Sequence, residues 1–377
     1  MGVQGALVEC FEGLEDPRMV NKCRHKLLDI LVIAVCATIA NADSWDDMAL
    51  FGKSKQPWLR QWLELPNGIP SADTFERVFG HLDAEAFQAC FARWVEAVFT
   101  LTEGQVIAID GKTVRGTCDK QGQNGLHLVS AWATANRLTL AQVNVANKAN
   151  EIVAIPELLE LLTLHGCIVT IDAMGCQKHI IDTIGDQQAE YVVTVKGNQP
   201  TLQRTVQAAF AAADAQGWSQ HPAAVCRTEE TAHGRHEIRQ CWVVPDSQVQ
   251  ALGWRDCHTL VRIERTTTRG AAQKVSRETH YYISSVQADA ATLLHLVREH
   301  WGIENQCHWV LDVVFKEDAS RTRARFADDN LAVLRKMALN LLRQHPAQGS
   351  LKGKRYQAAL NEEFLTSVLH SSLFLMR

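Results

Sequence analysis

The sequence has no long uninterrupted apolar run, no paired-cysteine motif and no excess of basic charge, and each absence removes a class of function. The most apolar stretch, Leu27 to Ala40, is interrupted by Asp29 and falls short of the roughly 20 residues that a membrane-spanning helix needs. It reads as a buried helix, and no membrane partner is expected. The 11 cysteines form no CxxC pair and no Cys/His cluster at zinc-ligand spacing, so neither a disulfide framework nor a zinc module is indicated. No secretory n-region with a cleavage site is evident. Gly2 follows Met1, but position 6 is Ala6 where myristoylation needs Ser or Thr. A reducing cytoplasm is the expected compartment. Lys and Arg number 38 against 42 Asp and Glu, a net charge of −4, so bulk charge gives no sign of nucleic acid. Cations gathered on one face would escape such a count. Internal repeats and low-complexity tracts are absent. What is present, 46% hydrophobic and 21% charged residues, is ordinary globular composition.

The pattern along the chain divides near residue 100. Residues 1–100 read as a helical domain: Leu27, Leu28, Leu31, Val32 and Val35 recur at helical spacing, and Ser71 and Asp73 precede Phe75–Val78 as a helix start. From Gln105 the period becomes that of strands. The apolar run 105–109 ends at Asp110, and 126–134 and 138–145 form a strand pair around the short Ala135-Asn136-Arg137 connection. Residues 151–164 have helical periodicity with Asn150 as N-cap. Then 167–171 ends at Asp172, and a helix and the strand 190–195 follow. Short connections favour antiparallel neighbours and a helix between strands favours a parallel crossover. The fold class is therefore α/β, a ribonuclease-H-like mixed sheet flanked by helices. Residues 201–216 read as helix, about 221–285 as a β-rich insertion, and 291–312 and 328–344 as helices. The expected division is an N-terminal helical domain (1–100), a catalytic domain with its insertion (101–345) and a C-terminal tail (346–377).

Asp110 and Asp172 share one context: an apolar strand, the Asp, then a glycine within three residues. A lone Asp after a strand is usually a cap or turn residue. Two of them at strand carboxyl ends line the crevice where α/β sheets place function. If their strands lie side by side the carboxylates repel, and a divalent cation relieves that repulsion; hard oxygen ligands suit Mg²⁺ or Mn²⁺. Within 291–312, His300, Glu304, His308 and Asp312 are spaced by four and form a polar stripe. An ordinary solvated helix face remains open for that stripe, although two histidines and two tryptophans beside Glu304 speak against it.

The blocks AIDGKTVRG (108–116), TIDAMGCQK (170–178), VKGNQ (195–199), HGRHEIR (233–239) and HWGIENQCHWVLDVVFKED (300–318) resemble the bacterial H-repeat-associated insertion-sequence transposases, a DDE group. The segment 25–47 resembles that group's associated helical domain. The resemblance implies that Asp110, Asp172 and Glu304 are a catalytic, metal-binding triad. It implies two Mg²⁺ ions, with Mn²⁺ able to substitute, and no organic cofactor. It also implies DNA partners (element ends and target), a homodimer when two ends are paired, and nucleoid association while bound. Related transposases carry Tyr-x2-Arg-x3-Glu-x6-Lys around the glutamate; here those positions are Val297, His300 and Leu311. Arg298, His300 and Lys316 are the candidates to hold the terminal phosphate instead.

Further cations are candidate DNA contacts. Lys112 and Arg115 follow the first Asp, and Lys196 and Asn198 follow a strand in the same way; in each case a plain exposed turn is the alternative. Gly111-Lys112-Thr113 is not a phosphate-binding loop, because the glycine required five residues earlier is Val106. In the β-rich insertion, Arg235 and Arg239 are DNA candidates by the resemblance, and a polar hairpin turn is the alternative. His233 and His236 have no further ligand near in sequence to make a metal pair. Residues 319–360 carry Arg321, Arg323, Arg325, Arg335, Lys336, Arg343, Lys352, Lys354 and Arg355 against Asp328 and Asp329 alone, a basic patch or a solvated helix face. His308 lies beside Glu304 and joins the candidates. Two rival functions fit the same residues: a metal nuclease of this fold that cuts without strand transfer, and a catalytically silent DNA-binding remnant.

Overall fold

The computed structural model describes residues 6–19, 21, 23–99, 101–119, 121, 125–145, 151–218, 222–232, 234–246, 248–269 and 274–373. Asn150 and His233 lie outside the described residues. Six helices come first: α1 (Ala6–Glu12), α2 (Leu27–Ile39), α3 (Trp45–Ser54), α4 (Gln56–Leu59), α5 (Ala72–His81) and α6 (Ala84–Val98). Then follow β1 (Val106–Thr113), β2 (His127–Ala133), β3 (Leu138–Val145), α7 (Glu151–Glu160), β4 (Ile168–Ile171), α8 (Lys178–Asp186), β5 (Glu190–Val195) and α9 (Pro200–Gln216). The insertion is β6 (Val225–Ala232), β7 (Arg235–Pro245), β8 (Thr259–Arg269) and β9 (Lys274–Ser284). The chain ends with α10 (Ala290–His300), α11 (Trp309–Val314), α12 (Ala327–Gln344), α13 (Leu351–Leu360) and α14 (Glu362–Leu373). The tail, to which the sequence pattern assigned no element, contains two helices. No helix among the described residues is long and apolar enough to cross a membrane.

The chain forms two compact units that do not follow its linear order: residues 1–100, 111–150 and 304–377 make one, and 101–110 with 151–303 make the other. In the first, α12 is the central element. Helices α2, α5, α6, α13 and α14 pack on it, as does β3 of the antiparallel β2–β3 hairpin. Short polar residues start its helices where sequence expects them. Ser44 and Asp47 form a reciprocal capping box on α3, and Ser71 accepts from the Thr74 amide at the start of α5. In α2, Asp29 is buried because its Oδ2 accepts the Leu65 amide at 3.1 Å, so the charge that interrupts the apolar run has a partner.

The second unit is built on a mixed sheet. Its strands run in the order β1-β4-β5-β9-β8-β7-β6, with β1, β4 and β5 parallel and the others antiparallel. A hairpin after β1, then parallel strands reached through helices, is the ribonuclease-H-like arrangement. Side chains alternate across each strand, so Val106, Ile168 and Val192 share one face. That face packs with Leu293, Leu294, Leu296 and Val297 of α10, which also covers Cys241, Val261, Ile263 and Tyr282 of the insertion. One helix therefore joins the parallel core and the β insertion into a single apolar layer.

Candidate active site

Asp110 and Asp172 are brought together by strand register. Val106–Ile109 pairs with Ile168–Ile171 in parallel, residue for residue, ending on Ile109 opposite Ile171. The next residue of each strand is the aspartate, so the two stand at equivalent positions on strands about 4.8 Å apart, on the same face as Thr170 and Val106. Both are half-buried. The loop after Asp172 is held tightly. Its Oδ1 accepts the Met174 amide at 2.8 Å and the Gly175 amide at 3.4 Å. Asn198 Nδ2 donates to the Ala173 carbonyl at 2.7 Å, and Gln199 Nε2 donates to the Cys176 carbonyl at 2.9 Å. Gly175 has no room for a side chain, since a Cβ there would collide with the Ile171 side chain. Oδ2 of Asp172 accepts no hydrogen bond among the described residues.

His300 closes this face from above. It is the last residue of α10, and its Nδ1 lies 3.0 Å from the Thr170 hydroxyl, two residues before Asp172 on the same side of β4. Burial pushes the imidazole down to about 4, and the nearby Asp172 carboxylate offsets only part of that. His300 is therefore neutral near pH 7, a hydrogen-bonding group with no charge to offer a phosphate.

Sequence periodicity made 291–312 one helix, but the structure breaks it. After α10 the chain makes a π-helical turn, Ile303–His308, before α11 resumes. Glu304 lies in that wider turn and is exposed, while His308 is buried and Asp312 half-buried. The four-residue stripe thus has no common environment. Single π turns of this kind are frequent at functional sites, because one extra residue re-aims a side chain. Among the described residues, no three His, Cys, Asp or Glu side chains are gathered closely enough to hold a metal; register unites the two aspartates only.

Comparison with known proteins decides the family. The model described as the transposase DDE domain matches residues 101–341, and the one described as DDE_Tnp_1-associated matches 8–95. This chain belongs to the DDE transposases. It is 40% identical to the protein named putative transposase YncI of Escherichia coli O157:H7, over 98% of this chain and 96% of that one. It is 36% identical to the H repeat-associated putative transposase YhhI of Escherichia coli K12, over 97% and 98% respectively. Among solved structures, the piggyBac transposase synaptic complex with hairpin DNA aligns over 99% of this chain and 78% of its own, at 12% identity and a TM-score of 0.45.

In this transposase several of the cations nominated from sequence are interior. Lys112, read from sequence as either a phosphate contact or an exposed turn, is largely covered, its side chain 11% exposed. Its Nζ lies 2.5 Å from Asp312, 2.6 Å from Glu317 and 3.6 Å from Asp318. Burial opposes its charge, but Glu317 and Asp312 outweigh burial and raise its pKa. Glu317 is fully buried; burial alone would push it up, yet Lys112, Lys336 and Arg335 hold it at about 2. Four of the nine cations in residues 319–360 are taken from the surface by the same packing. Arg335, Lys336, Lys354 and Arg355 are all buried, because each finds an internal acceptor or counter-charge. Lys336 donates to Gln142 at 2.5 Å, Lys354 to the Leu342 carbonyl at 2.9 Å, and Arg355 to the Thr38 carbonyl at 3.0 Å. No sequence signal separated these cations from solvated ones; the acids of the FKED block were visible, but not which lysine they would meet.

The remaining candidates are at or near the surface. Arg115 is 85% exposed, with Asp318 3.5 Å from its Nε, and Lys196 and Asn198 are exposed, although the Asn198 amide is engaged as above. Arg321 and Arg325 are exposed; Arg323 donates to the Gly116 carbonyl at 3.0 Å and to that of Cys118. Lys316 lies 2.8 Å from Asp43. In the insertion, Arg235 is 3.5 Å from Glu237, Arg239 pairs with Glu237 and Glu230, and Arg298 of α10 reaches Glu230 at 2.7 Å. Four of these arginines are thus drawn into an ion-pair lattice with Glu230 and Glu237 or, at Arg323, into backbone contacts.

Proposed function

We propose that Asp110, Asp172 and Glu304 together hold two divalent cations, Mg²⁺ with Mn²⁺ able to substitute. With them the transposase hydrolyses the phosphodiester at an element end and joins the freed 3′-hydroxyl to target DNA. The observation that carries this reading is the parallel register of β1 and β4, whose last pair, Ile109 opposite Ile171, is followed on each strand's chain by an aspartate. The residues present fit such ions: the donors are hard carboxylate oxygens, and Asp172 keeps Oδ2 open while backbone amides fix Oδ1. Divalent ions bound there stabilise the attacking and leaving oxygens of an in-line displacement. The chain's own part is positional. The Asn198 and Gln199 side chains hold the loop that orients Asp172, and neutral His300 covers the strand ends from α10. Glu304 follows four residues later, on the turn that leaves that helix. No side chain is required as covalent nucleophile, which suits a site built from carboxylates. Arg115, Lys196, Arg321 and Arg325 are the exposed cations available to the DNA backbone. Pairing two ends calls for two active sites, hence a homodimer on DNA, working in the cytoplasm at the nucleoid.

The test is a set of three full-length variants, Asp110→Ala, Asp172→Ala and Glu304→Ala. Each is expected to lose divalent-metal-dependent cleavage of end-containing DNA while still shifting that DNA on a gel. Cleavage retained by any of them removes that residue from the site. Cleavage by the unaltered protein without joined products would identify a nuclease, and binding without cleavage would identify a silent remnant.

A further inference from the structure

We infer that Lys112 is a positioning residue that sets the phase of the turn carrying Glu304; this rests on the reading of Glu304 as a metal-holding carboxylate. Lys112 is two residues beyond Asp110 on β1, so both side chains leave the same face of the strand. Its ammonium meets three carboxylates that all lie downstream of Glu304: Asp312 on α11 at 2.5 Å, Glu317 at 2.6 Å and Asp318 at 3.6 Å. The contact is one part of a longer clasp between residues 112–118 and 312–323. The Arg115 amide donates to Asp318 Oδ1 at 3.1 Å, and Arg323 donates to the Gly116 and Cys118 carbonyls. Gly116 approaches so closely that a Cβ there would lie 2.7 Å from the Asp318 carbonyl oxygen and closer still to that of Ser320.

A clasp at this place has a particular consequence. The π-helical turn Ile303–His308 is held in its second half, where Arg343 donates to the Gln306 carbonyl and the Thr139 hydroxyl lies 3.5 Å from Cys307 Sγ, so the direction of exposed Glu304 near its start depends also on the helices on either side. Upstream, α10 is fixed by its apolar face on the sheet. Downstream, α11 is six residues long, too short to hold itself, and it is tied at Asp312 to Lys112 and at the Val314 carbonyl to Arg355. Burying an ammonium among carboxylates is a poor source of net stability. Its return here is geometric, because it fixes the end of β1 against the helix that continues from Glu304.

The experiment uses full-length Lys112→Met, Lys112→Arg and Asp312→Asn, with hydrogen exchange, the metal requirement for end cleavage, and the salt dependence of end-DNA binding as readouts. In Lys112→Met, exchange across Ile303–Val314 is expected to accelerate by about tenfold or more, while α2 is unchanged. The Mg²⁺ concentration for half-maximal cleavage is expected to rise by about 10- to 100-fold, the usual effect of losing a group that orients a metal ligand. Lys112→Arg should restore both, and Asp312→Asn, with its less buried side chain, should move both in the same direction and decides the matter if Lys112→Met does not fold. The slope of log Kd against log salt should not change. Unaltered exchange and metal requirement in folded variants would overturn the inference. So would a slope reduced by about 0.9, the mark of a lost phosphate contact. If the unaltered protein cuts no DNA the functional reading falls, and the exchange readout still decides the role of Lys112.

Discussion

Replacing Glu317 by Gln should destabilise the protein in a pH-dependent way, and the structure gives the size. Glu317 is fully buried, and Lys112, Lys336 and Arg335 together hold its carboxyl at about 2 against an ordinary value of 4.5. A drop of that size is worth on the order of 3 kcal/mol. The sign follows from the direction: a carboxyl depressed on folding contributes above its unfolded pKa and loses the contribution as pH falls through its folded one. The stabilisation is thus complete above about pH 4.5 and gone near pH 2. Gln keeps the shape and removes the charge that buried Arg335 and Lys336 and the partly covered Lys112 share, a defect of about 3–5 kcal/mol in comparable cases. Thermal unfolding followed by circular dichroism from pH 3 to 8 should place Glu317→Gln lower by roughly 4–6 °C at pH 7, at about 1.3 °C per kcal/mol for 377 residues. The gap should narrow steadily below pH 4.5. An equal gap at pH 3 and pH 7, or none at pH 7, would refute the reasoning, because the cluster would then not be held together by this charge.

Asp329 should behave in the opposite sense. Burial, with Asp328 beside it, raises its carboxyl to about 7, so its ionisation opposes folding increasingly from about pH 4 to pH 7. Asp329→Asn should raise the unfolding temperature at pH 8 and leave it unchanged at pH 4; a loss at pH 8 would contradict this. Asn198→Ala should free the Ala173 carbonyl, loosen the loop that orients Asp172, and lower end cleavage by about tenfold with little change in DNA affinity. An equal loss in binding, measured by gel shift, would instead make Asn198 a DNA contact.

How much was legible depended on the range of the interaction involved. The strands ending at Asp110 and Asp172 could be read because alternating burial and β-branched runs are local properties; β3 and β5 have the limits the pattern predicted, 138–145 and 190–195. The helix through Glu304 was over-extended, since three- and four-residue spacing continues across a π turn and one inserted residue leaves no mark in composition. The C-terminal helices were missed for a different reason: α13 has too little apolar periodicity to announce itself, and its buried Arg355 and Lys354 read as solvent-facing charges.

By itself the sequence determined the elements, their order, the family to which they belong and the two aspartates at strand ends, all of which depend on residues close together in the chain. Only the tertiary structure decided that β1 and β4 pair in a register that sets Asp110 beside Asp172. It alone decided that His300 is half-buried and uncharged, and that Lys112, Arg335 and Lys336 face inward to Glu317. The reason is physical. Whether a charged side chain lies in water or in the interior depends on the partner that arrives to compensate it, and for Lys112 that partner lies some two hundred residues along the chain.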